Sequence, residues 1–145
     1  MSRDLRQRSS EEIRLDPATV PQSHRDILEK KGFAHVATIG PGGEPHSNPV
    51  WFDFDGTHVL ISQTTSRQKI QNLNRDPRVA LSILDPDNPY RYLEVRGTIA
   101  DVQKDTSNRF INSLAKKYMD KDEYPEPGEG RVVVKIAPER FSSMG

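Results

Sequence analysis

Ser62-Gln-Thr-Thr-Ser-Arg-Gln-Lys-Ile-Gln-Asn-Leu-Asn-Arg-Asp-Pro-Arg-Val79 joins the end of one strand to a loop, a short helix and the start of another strand. Thr65 or Ser66 is placed to cap the helix, and Ile70 and Leu73 share its buried face. Asp76-Pro77 ends it, because proline disfavours a helical residue before it. Between Thr64 and Arg78 the bases Arg67, Lys69, Arg75 and Arg78 face the single acid Asp76, a local charge of +3. Hydroxyls, a helix N-terminus, a guanidinium fork and an ammonium together suit a phosphate. The plainer reading is a solvated helix with a serine cap, and the residues alone leave both open.

Working outward, the other segments read mainly as strands. Ser23 with Asp26 resembles a capping box for a first helix that Gly32 stops. Phe33–Ile39 is β-branched enough for a strand, and Gly40-Pro-Gly-Gly-Glu44 is turn chemistry. A second strand runs from His46 to Phe54, with Pro49 demoting that point to an edge or a bulge. Asp55-Gly56 turns the chain into a third strand, His58–Gln63. A fourth strand is expected at Arg78–Leu84 and a long fifth at Tyr92–Val102, where Gly97 suggests a bulge or a close contact. Phe110, Ile111, Leu114, Ala115 and Tyr118 form the stripe of a second helix that starts near Asp105 or Thr106. A polar loop, Asp120–Gly130, leads to a last strand, Arg131–Ile136, closed by Pro138. About six strands arrive mostly as hairpins, which favours a mainly β antiparallel barrel or sandwich with peripheral short helices over a doubly wound sheet.

The chain of 145 residues has length for one domain, taken as residues 21–145 behind an N-terminal arm, residues 1–20. It carries 21 bases against 21 acids, which argues against a generic nucleic-acid binder. No apolar run reaches the roughly 20 residues of a membrane span, and Met1–Asp16 lacks the apolar stretch of a secretory signal. A cytoplasmic protein without membrane attachment is expected. With no cysteine there is no disulfide, thiolate site or cysteine nucleophile. His24, His35, His46 and His58 are scattered without zinc spacing, so no metal site is expected. His35 and His46 could face each other across the first hairpin as ordinary strand partners. No Gly-x-Ser-x-Gly elbow is present, and no side chain stands out as a catalytic acid or nucleophile.

The pattern Arg67, Lys69, Asn72, Leu73, Asp76, Pro77, Arg78, Val79 resembles the pyridoxamine-phosphate-oxidase-like flavin and deazaflavin oxidoreductases. Ala37-Thr38 before the Gly-rich hairpin, Asn48-Pro-Val-Trp-Phe-Asp53 and Asp85-Pro-Asp-Asn-Pro-Tyr-Arg-Tyr-Leu-Glu-Val-Arg-Gly97 resemble the branch that uses coenzyme F420. Lys117-Tyr118, Arg131-Val-Val-Val and Pro138-Glu-Arg140 extend the likeness, which runs from about Ser23 to Phe141.

The resemblance implies a split β-barrel that forms a homodimer, with cofactor sites at the subunit interface. It implies that Thr65, Ser66, Arg67 and Lys69 hold the cofactor's phosphate or acidic tail. It implies that Asn48, Pro49, Val50, Trp51, Ser62 and Gln63 lie along the ring system and ribityl chain. Trp51 reads equally well as a core or interface aromatic. For Asn72, capping or packing of its own helix is the leading reading, and for Arg75 and Arg78 a pairing with Asp76 or nearby acids. Tyr90, Arg91 and Tyr92 read as interface residues. The implied activity is F420-dependent hydride transfer to a small organic acceptor with an activated double bond. The alternatives are an FMN-binding oxidase or reductase, and a cofactor carrier with little turnover.

Overall fold

The computed structural model describes residues 19–145. The expected arm lies outside the described residues except for Thr19 and Val20, and Val20 packs against the core. Seven strands form one sheet: β1 (Ala34–Ile39), β2 (Pro45–Val50), β3 (Asp53–Phe54), β4 (Val59–Thr64), β5 (Arg78–Asp85), β6 (Asn88–Lys104) and β7 (Arg131–Met144). Their order is β2-β1-β5-β6-β7-β4-β3, and every pairing is antiparallel. A 3₁₀ helix (Gln22–Leu28), α1 (Gln68–Arg75) and α2 (Arg109–Met119) lie around it.

β2 and β3 are the two edges of the sheet, yet only Trp51 and Phe52 separate them in sequence. Three peptide steps span at most about 11 Å, so the sheet must curl until its edges nearly meet. They stay unpaired with each other, which leaves a barrel split along one seam. The expected second strand, His46–Phe54, is thus two strands: the chain leaves β1 at Val50 and joins β4 at Asp53. Pro49 occupies the edge position its missing N–H predicts. The barrel is filled by alternate residues, among them Val36, Val59, Ile61, Leu81, Ile83, Leu93, Val95, Val134 and Ile136, with Phe52 fully buried at the seam.

Several expected details are corrected. Ser23 does not cap the first helix; its Oγ lies 2.7 Å from His24 Nδ1, and the helix ends at Glu29, before Gly32. α1 has Arg67, not Thr65 or Ser66, at its cap, with no side-chain cap hydrogen bond. His35 pairs with Pro49 and His46 with Thr38, so the two histidines do not face each other. Pro138 does not close β7. It sits opposite Gly97 where the β6–β7 register shifts, a place that asks no ladder donor of it, and the strand continues to Met144. A Cβ on Gly97 would collide with the Ala137 carbonyl, so the glycine is required by close approach.

Candidate functional site

A cavity of about 400 Å³ opens at the seam, walled by Asn48, Pro49, Val50, Trp51, Ser62, Gln63, Arg67 and Lys69. These are eight of the sequence-predicted site residues. Thr65 and Ser66 do not line it; they are exposed on the loop between β4 and α1, where Thr65 N–H donates to Gly130 O at 3.1 Å. Phe33, Gln68, Ile111, Leu114, Tyr124 and Arg131 complete the wall. A second cavity of about 360 Å³, bordered by Thr38, His46, Ser47 and Asn72, shares Asn48, Gln68 and Lys69 with the first. Neither wall contains an Asp or Glu among the described residues.

α1 places the cations. Ile70 and Leu73 anchor its inner face in the core. Asn72, fully buried, donates to Thr38 Oγ1 at 2.9 Å and accepts from Gln68 Nε2 at 2.8 Å and Arg75 Nη2 at 2.9 Å. It therefore locks the helix to β1, as its packing reading required. Arg75 also donates to Ile39 O at 3.0 Å, while Arg78 pairs with Asp76 at 2.7 Å, so neither reaches the cavity. Lys69 is different. It is 8% exposed, lies where the two cavities meet, and makes no ion pair or hydrogen bond among the described residues. Burial, reinforced by the Arg67 charge, lowers its pKa to about 8.

The aromatic end is built on Trp51. Its ring stacks on Tyr118 at 4.9 Å and 4°, and meets Tyr124 edge-on at 5.8 Å and 86°. Tyr118 donates to Gly32 O at 2.6 Å and accepts from Phe52 N–H at 3.2 Å; burial pushes its pKa up to about 12. Lys117 donates to Phe52 O at 2.8 Å. Trp51 is thus held in place by α2 and at the same time forms cavity wall, so the two readings of it are compatible. Tyr124 and Arg131 were not anticipated. Tyr124 is the one aromatic in the acidic stretch Asp120–Gly130, and that contrast was the available signal. Ile111 and Leu114 belong to the expected helix stripe, but periodicity could not say that they also wall a cavity.

Neither His, Cys, Asp nor Glu lines the larger cavity, and no group of three metal-ligating side chains occurs among the described residues. What the arrangement offers is an apolar and aromatic slot, amide and hydroxyl groups to orient a ligand, and cations without counter-charges. A partly buried cation lacking a partner favours an anion. The lining therefore fits a flat, anionic redox cofactor of the flavin or deazaflavin kind.

The comparisons agree with this geometry. The family model for pyridoxamine 5'-phosphate oxidase matches residues 20–145. The chain is similar to a solved structure described as an F420 reductase, at 40% identity and TM-score 0.78, covering 85% of this chain and 98% of that one. A conserved hypothetical protein from Mycobacterium tuberculosis is 25% identical with TM-score 0.70, covering 89% and 86%. A 5a,11a-dehydrotetracycline/5a,11a-dehydrooxytetracycline reductase of Streptomyces rimosus is 33% identical over 72 residues, which is 46% of this chain and 51%, about half, of that protein's length. Seven antiparallel strands curled about an unpaired seam, with a cationic aromatic cavity opening there, are the split barrel of this group, and the chain belongs to the pyridoxamine 5'-phosphate oxidase family.

Proposed function

We propose that this protein is an F420-dependent oxidoreductase that reduces a small organic acceptor bearing an activated double bond. The observation that carries the reading is the cavity wall: Arg67, Lys69 and Arg131 with no carboxylate among the described residues, in a chain whose acids equal its bases. The similarity to an F420 reductase along most of the chain supports the deazaflavin over FMN. The dehydrotetracycline reductase supports the direction of reaction and an unsaturated acceptor.

A bound reduced deazaflavin supplies the hydride. The chain supplies position and surroundings. Arg67 and Lys69 would hold the phosphate, with Thr65 and Ser66 on the adjoining loop within the same charged segment. Asn48 and Gln63 offer amide donors and acceptors to the polar edge of the ring. Pro49, Val50 and Trp51 give it a flat wall that excludes water. Ser62 would lie along the ribityl chain. Holding ring and acceptor in one slot lowers the barrier mainly through orientation. Among the described residues the wall holds no carboxylic acid or imidazole, and the proton would come from solvent at the mouth.

Parallel titration of the apo-protein with F420 and with FMN tests this, using the fluorescence of Trp51, the chain's one tryptophan. F420 is expected to bind and FMN to bind far more weakly. Binding of FMN alone would transfer the chain to the flavin-using branch, and binding of neither would overturn the cofactor assignment.

A further inference from the structure

Arg131 opens β7 and reaches back along the neighbouring strand β4. Its backbone pairs with Thr64, while its Nη1 donates to Ser62 Oγ at 3.2 Å and its Nε to Pro127 O at 2.6 Å. The guanidinium carbon lies 5.4 Å from the centre of the Tyr124 ring. Tyr124 is itself fixed, its N–H donating to Asn112 Oδ1 at 2.9 Å and its ring edge-on to Trp51. Arg131 is therefore seated in the cavity wall beside Tyr124, where that ring meets Trp51.

All these partners are neutral. Arg91 is compensated by Asp26 and Asp85, and Arg78 by Asp76, but Arg131 has no ion pair among the described residues and no carboxylate in the cavity it lines. A guanidinium has five N–H donors; the two bonds named leave the others for a ligand. A fixed, uncompensated cation beside an apolar slot acts on ligand charge far more strongly than it would in water.

We propose that Arg131 stabilises negative charge on the ring of the bound cofactor, so that the site holds the reduced ring more tightly than the oxidised one. The inference rests on the cofactor reading above. A hydride brings two electrons and one proton, so the ring gains one negative charge unless a second proton is taken up. That charge spreads over the ring's nitrogen and carbonyl oxygen atoms, which a planar N–H fork can meet. Arg131 acts as a positioning and charge-stabilising residue, and the phosphate stays with Arg67 and Lys69.

The test measures dissociation constants for oxidised and reduced F420 separately, read from Trp51 fluorescence, in wild type, Arg131→Gln and Arg131→Lys. The expected result is that Arg131→Gln weakens the reduced form about tenfold more than the oxidised form. For a two-electron couple that lowers the midpoint potential of the bound cofactor by about 30 mV. Arg131→Lys, which keeps the charge but not the fork, is expected to retain part of the preference. Equal weakening of both forms in Arg131→Gln would make Arg131 a mere anchor for Tyr124 and Pro127 and overturn the inference; so would no change in either. If Arg131→Gln fails to fold, a lysine variant that folds with no preference for the reduced form overturns it as well. Failure of the wild type to bind either form overturns the cofactor assignment first, and this inference with it.

Discussion

At the scale of single residues, Lys69 concentrates the chemistry of the site. A lysine on an eight-residue helix normally swings into water, but here Ile70 and Leu73 hold the helix against the core and Lys69 is buried with them. Its pKa near 8 means that the unliganded protein loses this charge as pH rises through 8, where an exposed lysine keeps it to about 10.5. An anionic ligand favours the protonated form, so affinity should fall above pH 8. Lys69→Ala is expected to weaken F420 binding by roughly 10- to 100-fold, the range of a charge-assisted hydrogen bond. Fluorescence titration of wild type and variant at pH 7 and pH 9 checks both statements; an unchanged dissociation constant in the variant removes Lys69 from the site.

At the scale of elements, side chains distant in sequence make the joints. Asp105 caps the start of α2, accepting from Phe110 N–H at 2.8 Å and Ile111 N–H at 3.0 Å, and so sets the helix that carries Tyr118 beneath Trp51. Arg91 clamps the β5–β6 turn to the 3₁₀ helix through Asp26 and Asp85, with Lys30 adding a 3.0 Å contact to Asp85. The Arg91 hydrogen bond brings Asp26 down to about 2; Asp85 reaches about 2 chiefly through the Asp87 N–H and Lys30. Carboxylates with a depressed folded pKa stabilise the fold above their ordinary value and lose that effect as pH falls. The contribution is therefore complete above about 3.8 and disappears as pH drops through about 2. Arg91→Gln should move acid unfolding, followed by circular dichroism, to higher pH. The shift is modest, because Asp26 is half exposed and screened. An unchanged midpoint would show that the clamp contributes nothing to stability.

At the scale of the molecule, the seam governs everything else. Both sheet edges lie there, the cavity opens there, and Phe33 stands at its border 53% exposed. A slot open along one side exposes a large part of any flat ring it holds, and a second subunit is the natural cover. We expect a homodimer whose subunits complete each other's site. Light scattering should give twice the mass of the 16.4 kDa chain; a monomer that still binds cofactor would exclude a shared site. The charge balance gains a spatial meaning as well. Of the +3 segment Thr64–Arg78, Arg67 and Lys69 line the cavity, and the acidic stretch Asp120–Gly130 sends only Tyr124 into its wall.

The sequence by itself determined most of the strands, the antiparallel class and the charged turn into α1. These depend on alternation, turn chemistry and local charge, which neighbouring residues fix. Asn72 was legible as a helix-packing residue because its position on α1 was. Cooperation between distant residues was not legible. That β2 and β3 are opposite edges joined by two residues, that Pro138 sits safely across from Gly97, and that Arg131 and Tyr124 share the cavity with Lys69 all depend on how the sheet curls. Curl is set by the packing of the whole core and by register, properties of many strands at once. Only the tertiary structure could decide them, and with them which of the chain's cations line the cavity.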